Sequence, residues 1–352
     1  MKRKIVYLLL ITGLLGVAMY FLIAVKENSK NGFDRKLVGT TFRIQHSIKL
    51  DHDVFFSWKP EKEIWIGSRY QPFDLLKLNR FLSVTAIKKL AIQKDFNSKL
   101  HNFNFTKSDS SIFVANEVGQ IARLSSNRQK TFNFNAIFDN PVAISKNTLI
   151  VRIFKTSGKE NHTELSKIVL TAKGRIEKSY SVPKQVDGIF CADGQLAYDK
   201  ASNRLFYMFY RRGSFLCLDT NLNLIYTAST IDTISRSTLK FLTAKQNSKN
   251  GKTVEATTLN SPANLVNISM SIANDKIYVN SGIKADNQSL TDFFENSTID
   301  VYSVKNGTYQ YSFQVPRYMG LLLREFYIDH DCIIALYDKC MVSSVIKGNQ
   351  TI

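Results

Sequence analysis

The amino-acid sequence predicts an all-β protein, a six-bladed β-propeller of four-stranded antiparallel blades preceded by one N-terminal transmembrane helix. Three observations lead to this prediction. The chain has 352 residues, of which 44% are hydrophobic, so it can bury a large core. Short apolar strands and polar turns recur along most of its length. A long uncharged run stands near the N-terminus.

The uncharged run covers residues 5–25 and follows three basic residues at positions 2–4. A helix of that length spans about 30 Å of hydrocarbon, and the basic residues favour a cytoplasmic N-terminus. Residues 1–25 are therefore interpreted as an uncleaved signal anchor inserted in the cell membrane, and residues 26–39 as a polar stalk. A cleaved signal peptide is the alternative, although no small-x-small cleavage site ends the run. Residues 40–352 are then expected in the periplasm or outside the cell.

The repeat consists of a polar turn, a compact apolar strand and a second strand. A third strand follows in the first five units, and an apolar strand precedes most of the six. Four antiparallel strands per unit are typical of a propeller blade. The sixth unit lacks its outer strand, which Thr41–Leu50 is predicted to supply, closing the ring. A β-sandwich or two smaller β-domains are the alternatives, because the repeat spacing is uneven. The compact strands are residues 64–68, 112–116, 149–154, 205–210, 277–281 and 333–337.

Two segments do not follow the blade pattern. Residues 88–106 carry apolar residues at mixed spacing and are predicted to form a short helix or an extended loop. Residues 230–265 are polar and would connect the fourth and fifth blades. A connection of that length is uncommon unless it is functional or mobile.

The stretches SIANDKIYVNSG and IDVYSVKNGTYQYSFQVP resemble the TolB-like six-bladed β-propeller proteins of bacterial cell envelopes. The resemblance covers residues 40–352 in the style of the repeats, without a diagnostic motif. No Trp-Asp dipeptide of the WD-type repeats occurs. The resemblance implies a propeller fold and an extracytoplasmic binding or scaffolding role, in some members with enzymatic activity.

The chain is strongly basic, with 47 Lys and Arg against 29 Asp and Glu and a formal charge of +18. Three apolar strands or turns are interrupted by Arg beside an aromatic residue, and the blade assignment puts these three in loops of one face of the disc. Arg binds carboxylate or phosphate through two hydrogen bonds, and Tyr offers a surface for stacking. This face is predicted to bind an anionic ligand or an envelope protein. The alternative is an even scatter of basic residues over the surface. The predicted ligand-binding residues are Arg69, Tyr70, Arg211, Arg212, Arg317 and Tyr318.

Two Asp-His-Asp tripeptides, residues 51–53 and 329–331, contain side chains that suit a divalent metal. Successive side chains of an extended segment point to opposite faces, and Asp is a common turn former. The two tripeptides are also expected on opposite faces of the disc. We therefore predict neither a metal site nor a cofactor.

The four cysteines contain no Cys-x-x-Cys pair, so neither a redox pair nor a zinc ribbon is indicated. A two-residue turn would put Cys332 opposite Val345, which does not favour a bridge from Cys332 to Cys340. Cys191 and Cys217 are expected on different strands of one blade. An oxidising compartment permits a disulfide without requiring one.

No nucleophile elbow, P-loop, dinucleotide-binding or zinc-protease motif is present. The preferred interpretation is a binding or scaffold module without catalytic activity. The alternative is an envelope hydrolase or lyase acting on an anionic glycan-like substrate, with His330 or Tyr210 as acid or base. A third possibility is a structural subunit of an envelope complex that orders residues 230–265. Nucleic acid is not expected as a partner, whereas anionic lipid head groups and surface glycans suit the charge.

Overall fold

The computed structural model describes residues 30–50, 54–58, 64–68, 70–98, 102–125, 128–157, 160–247, 253–260 and 265–348, together with Thr12 and Leu15. Thr12 and Leu15 are helical, and the rest of the predicted anchor at residues 5–25 lies outside the described residues. No helix among the described residues has both the length and the apolar character needed to cross a membrane. Arg69 and the tripeptide at residues 51–53 also lie outside them.

Within these ranges the chain forms a six-bladed propeller of four-stranded antiparallel sheets, as the repeat predicts. Blade 1 consists of β2 (Val54–Trp58), β3 (Ile64–Ser68), β4 (Asp74–Leu78) and β5 (Val84–Lys89). Blade 2 consists of β6 (Phe103–Ser108), β7 (Ser111–Asn116), β8 (Gln120–Ser125) and β9 (Arg128–Asn133). Blade 3 consists of β10 (Ile137–Ser145), β11 (Thr148–Ser157), β12 (Glu160–Val169) and β13 (Arg175–Ser181).

Blades 4 to 6 follow in chain order, and the last of them takes its outer strand from the N-terminal part of the chain. Blade 4 consists of β14 (Gly194–Asp199), β15 (Arg204–Phe209), β16 (Ser214–Asp219) and β17 (Leu224–Ser229). Blade 5 consists of β20 (Asn267–Ala273), β21 (Lys276–Ser281), β22 (Asn296–Ser303) and β23 (Tyr309–Pro316). Blade 6 consists of β24 (Glu325–Asp329), β25 (Cys332–Tyr337), β26 (Cys340–Gly348) and β1 (Thr40–Lys49). A short helix, α1 (Leu290–Glu295), lies between β21 and β22.

Burial follows strand position. All six residues of the second strand β7 are buried, whereas all six residues of the outer strand β5 are exposed. The second strands are packed on both faces, because neighbouring blades stack on either side of them, and so they are continuous apolar runs. Between blades 3 and 4, for example, Leu165 packs in one cluster with Tyr207 and Leu218.

The ring closes where β1 pairs with β26, which confirms the predicted role of Thr41–Leu50. Thr41 lies opposite Lys347 and Lys49 lies opposite Cys340. Phe42 also packs against Phe313 of blade 5, with 6.2 Å between the ring centroids. The closing strand therefore joins the last blade to the one before it.

The two faces of the disc differ in their connections. Because neighbouring strands are antiparallel, the turns after the first and third strands of every blade lie at one face, which we call the turn face. The loops between second and third strands, and the links between blades, lie at the opposite face, which we call the loop face.

The segment before β1, part of the predicted stalk, packs on blade 5. The backbone amides of Asn31 and Gly32 donate to the carboxylate of Asp286 in the β21–β22 loop, at 2.6 and 3.0 Å. Phe33 is buried, and Leu37 forms a parallel bridge with Ser312 of β23. Residues 31–38 are therefore held along the edge of the blade.

Two segments differ from the sequence-based expectation. The ends of 88–106 belong to β5 and β6, and residues 90–98 between them form turns rather than a helix. The link 230–265 contains a hairpin of β18 (Phe241–Asn247) and β19 (Thr253–Leu259). The two Thr-rich strands pair their backbone N–H and C=O groups with each other. In an open loop of that length these groups would have to bind water instead.

The four cysteines are free. Cys332 lies opposite Val345, as predicted. Cys191 was expected on a strand but lies in a turn before β14. Three amides of this turn, from Ile189 to Cys191, donate to the carboxylate of Asp187, and such side-chain capping favours a turn over a strand.

Candidate functional site

The first strands of the six blades surround a central channel of about 1650 Å³. Its wall is mixed in polarity, because each first strand turns one side chain in two towards the channel. The wall carries apolar residues from every blade and charged residues at both mouths. The apolar residues include Phe55, Phe105, Val142, Ala197, Ile272 and Tyr327.

A buried arginine lies beside the mouth of the channel at the loop face. Arg152 on β11 lies directly opposite Asp139 on β10, and its Nε donates to Asp139 Oδ1 at 2.7 Å. Its Nη1 forms an ion pair with Asp193, in the link to blade 4. The hydroxyl of Tyr207 lies 3.3 Å from the same nitrogen. Arg152 therefore ties blade 3 to blade 4.

Burial alone would lower the pKa of Arg152, but the hydrogen bond to Asp139 and the attraction of both carboxylates raise it above its ordinary value. Burial raises the pKa of Tyr207 to about 12 and also raises the pKa of Tyr210. Both tyrosines are protonated at neutral pH, so they can donate hydrogen bonds but cannot act as bases.

The charge of this cluster is negative. Two carboxylates share one guanidinium, and the Asp139 and Asp193 side chains are about a third exposed. Glu325 also lines the channel. An anion is therefore repelled from the mouth itself. Arg324 also lines the channel, but its Nε lies 3.9 Å from Glu325. Further cations lie on the loops that surround the mouth.

The described residues of the three predicted pairs lie on the loop face, in different parts of the ring. Tyr70 lies in the β3–β4 loop and is 75% exposed. Arg211 is partly exposed in the β15–β16 loop, whereas Arg212 beside it is buried. The guanidinium of Arg212 lies 3.5 Å from the ring centre of Phe209 and donates to the carbonyl of Pro183 at 2.8 Å. Burial lowers the pKa of Arg212.

The third pair lies in the link between blades 5 and 6. Arg317 donates from Nε to the carbonyl of Phe294 in α1, and from Nη1 to the carbonyl of Gly320 at 3.1 Å. The ring of Tyr318 packs against Tyr337 at 5.8 Å. Arg317 therefore holds the link against α1, and it keeps a partly exposed surface.

The tripeptide at residues 329–331 lies on the turn face, at the turn between β24 and β25. His330 has a φ of 53° and its side chain is 86% exposed. Its Nε2 lies 3.8 Å from Asp329. Among the described residues, no group of three or more His, Cys, Asp or Glu side chains is arranged to hold a metal ion.

The sequence analysis did not identify Arg152, although a signal was present. Arg152 interrupts the apolar strand LIVRIF of β11, and a charge within a buried strand requires a partner. Its partners stand 13 and 41 residues away along the chain. No local spacing could have connected them.

Exposed apolar side chains are concentrated on the loop face. Large apolar residues are normally scattered over a surface. Among the described residues at the turn face, Phe81 in a turn and Val84 and Leu224 at the first positions of β5 and β17 are exposed. The loop face contributes eight, from the β3–β4, β7–β8 and β21–β22 loops, from the start of β10 and from the links that follow blades 3, 4 and 5. They are Tyr70, Val118, Ile137, Val186, Leu265, Phe294, Met319 and Leu322.

Comparison with known proteins supports the fold. No protein-family model matches the sequence, and no curated protein matches it. A member of the DUF4221 family from Bacteroides vulgatus has a TM-score of 0.53 and 11% identity, over 90% of this chain and 100% of that one. Sqt1 from Saccharomyces cerevisiae has a TM-score of 0.46 and 10% identity, over 81% and 69% of the two chains. BamB from Moraxella catarrhalis has a TM-score of 0.41 and 11% identity, over 87% and 98%.

The first of these similarities covers 90% of this chain, and at this identity it concerns the fold alone. Together with the six four-stranded blades, it confirms the predicted resemblance to six-bladed propellers as a resemblance of architecture.

Proposed function

We propose that this protein is a membrane-anchored, extracytoplasmic binding module that holds an anionic ligand or a protein partner on its loop face. Residues 5–25 would be the anchor, with the N-terminus in the cytoplasm and the propeller in the periplasm or outside the cell. The uncharged run and the basic residues before it support this orientation.

One observation carries the proposal. The loop face combines exposed aromatic and apolar side chains, such as Tyr70 and Met319, with partly exposed arginines, such as Arg211. Aromatic, Met and Arg residues are enriched in binding interfaces relative to the rest of a protein surface. Propellers use such a face for binding because loops from all blades converge on it.

The proposed site is narrower than the residue set that the sequence suggests. Arg212 is buried against Phe209, so we assign it a structural role rather than a contact with the ligand. Arg69 stays in the proposed site as the sequence neighbour of Tyr70, and Tyr318 stays as a partly exposed ring beside Arg317.

The test is affinity purification of the full-length protein from native membranes in mild detergent. The test variant is Tyr70→Ala with Arg211→Ala on the loop face. The matched control is Arg80→Ala with Phe81→Ala, an arginine-aromatic pair with 4.9 Å between guanidinium and ring centre at the turn face. We expect a bound partner or ligand to be lost from the test variant and kept by the control.

Equal capture by the two variants would refute the assignment of the loop face. The anchor is tested separately by extraction of native membranes with alkaline carbonate, which leaves integral proteins in the pellet. A membrane-impermeant amine reagent applied to intact cells or spheroplasts should label the propeller. Extraction into the carbonate supernatant would overturn the anchor.

A further inference from the structure

We propose that the loop face lies flat against the membrane surface, and that the anionic ligand of this face is the lipid head groups. The inference rests on the proposed function, because it requires residues 5–25 to be the anchor. It adds the orientation of the propeller and the chemical class of what the loop face contacts.

The first argument is the place where the chain reaches the propeller. Asn31 is held by Asp286 and by the carbonyl of Lys284 at 2.8 Å, both in the β21–β22 loop. Its own carbonyl accepts from the hydroxyl of Thr233 at 2.6 Å, in the link between blades 4 and 5. Both of these segments leave their strands at the loop face.

The second argument is distance. The five residue steps from Val25 to Lys30 span at most about 18 Å even when fully extended. The stalk cannot lengthen beyond that, because the next residues are fixed: Arg35 is 3% exposed and donates to Asp300 at 2.7 Å. The loop face is therefore held close to the end of the anchor.

The third argument is the distribution of apolar side chains. The eight exposed apolar residues of the loop face lie singly, in loops and links and at the start of β10, at several positions around the channel mouth. A lipid surface accepts single side chains at any spacing, because acyl chains and head groups rearrange around each of them. Tyr, Phe, Leu and Met with neighbouring cations are the composition that inserts into the head-group region.

The fourth argument is charge close to the tether. The links that follow blades 3 and 4 carry three exposed cations, Lys184, Arg236 and Lys240. Asp187 in these links caps backbone amides and Asp232 is buried. The β21–β22 loop that holds Asn31 carries two exposed acids, Asp292 and Glu295, so the attraction to anionic lipids is assigned to the two links and not to that loop. Exposed cations near a membrane surface are attracted by anionic lipids. In this orientation the channel opens to bulk solvent through its turn-face mouth.

The test uses the full-length protein reconstituted in vesicles of phosphatidylcholine and phosphatidylglycerol that contain a spin-labelled quencher lipid. A fluorophore is attached at Met319→Cys on the loop face or, as the matched control, at Phe81→Cys on the turn face. Both variants carry Cys332→Ser, since the other three native cysteines are buried. We expect several-fold stronger quenching at position 319 than at position 81, and weaker quenching at 319 after Lys184→Glu, Arg236→Glu and Lys240→Glu.

Equal quenching at the two positions, in protein that floats with the vesicles, would overturn the orientation and leave the anchor intact. Protein that does not float with the vesicles would overturn the anchor, and the inference with it. Quenching at 319 that does not change with phosphatidylglycerol content or with the charge reversals would overturn the assignment of anionic head groups as the ligand.

Discussion

Removal of one partner of the ion pair between Arg35 and Asp300 is expected to be one of the most destabilising single substitutions in the propeller. Both side chains are almost fully buried, with 0% and 1% exposure. The guanidinium uses all five of its N–H groups within the protein. They donate to Asp300 Oδ1 and Oδ2 at 2.7 and 3.0 Å, Ser281 Oγ at 2.8 Å, Gln288 Oε1 at 2.7 Å and the carbonyl of Ile283 at 2.8 Å.

Arg35→Ala removes this cation, and Asp300 keeps the hydrogen bond from the hydroxyl of Ser312 at 2.6 Å. Breaking a buried pair in this way costs about 3–5 kcal/mol, because one charge stays buried without compensation. The double variant Arg35→Met with Asp300→Leu removes both charges. We expect it to lose less than the sum of the single losses.

The assay is urea unfolding of the full-length protein in detergent, followed by tryptophan fluorescence. The matched control is Arg175→Ala, whose side chain is 66% exposed and pairs with Glu177 at 3.2 Å. Exposed pairs contribute less than about 1 kcal/mol. If Arg35→Ala lost no more stability than Arg175→Ala, the argument that the segment before β1 is part of the folded core would be refuted.

Three further predictions follow from local geometry and titration. Gly119 has a φ of 86°, and a Cβ there would clash with two backbone carbonyls. Gly119→Ala is therefore expected to lower the free energy of unfolding by about 1–3 kcal/mol. The control Gly39→Ala, whose Cβ would meet no atom within 4 Å, should change the urea midpoint little. The pKa of Tyr207 is raised from 10.0 to about 12, so between these pH values the folded protein keeps a proton that the unfolded chain loses. The free energy of unfolding should therefore fall as the pH rises from 10 to about 12. It would contradict this prediction if the free energy of unfolding of the wild type fell no more steeply with pH than that of Tyr207→Phe. Thiol titration without reductant should find four thiols after denaturation and, in the native protein, reaction first at the partly exposed Cys332; fewer than four would contradict the free state.

Much of the fold could be predicted, because strand alternation and turn residues are local signals. The closing strand was predicted from counting: the sixth unit lacked one strand, and Thr41–Leu50 was an unassigned strand at the other end of the chain. The hairpin in 230–265 was not predicted. Its strands are polar and rich in Thr, and their pairing depends on backbone hydrogen bonds that composition does not reveal.

The candidate site was harder to predict for a different reason. Arg211 and Arg212 are adjacent in sequence, yet one is partly exposed and the other is buried under Phe209. Which of two consecutive residues in a tight loop points inward is decided by the neighbouring blade. The partners of Arg152 and Arg35 are likewise set by the ring and not by sequence spacing.

Closure of the ring by strands from both ends of the chain has a consequence for the order of folding. Thr41 and Lys347 are 306 positions apart. The entropic cost of closing a loop rises by only about 0.6 kcal/mol for each doubling of its length. The long separation therefore affects the rate at which the ring closes more than the free energy of closure. Until β25 and β26 have formed, the other five blades form an open arc whose two ends expose apolar flanks. Ile66 and Leu78 then lack Leu336 and Met341 at one end, and Phe313 lacks Ile333 at the other. A variant from which β25 and β26 are deleted would keep both flanks exposed and is expected to aggregate.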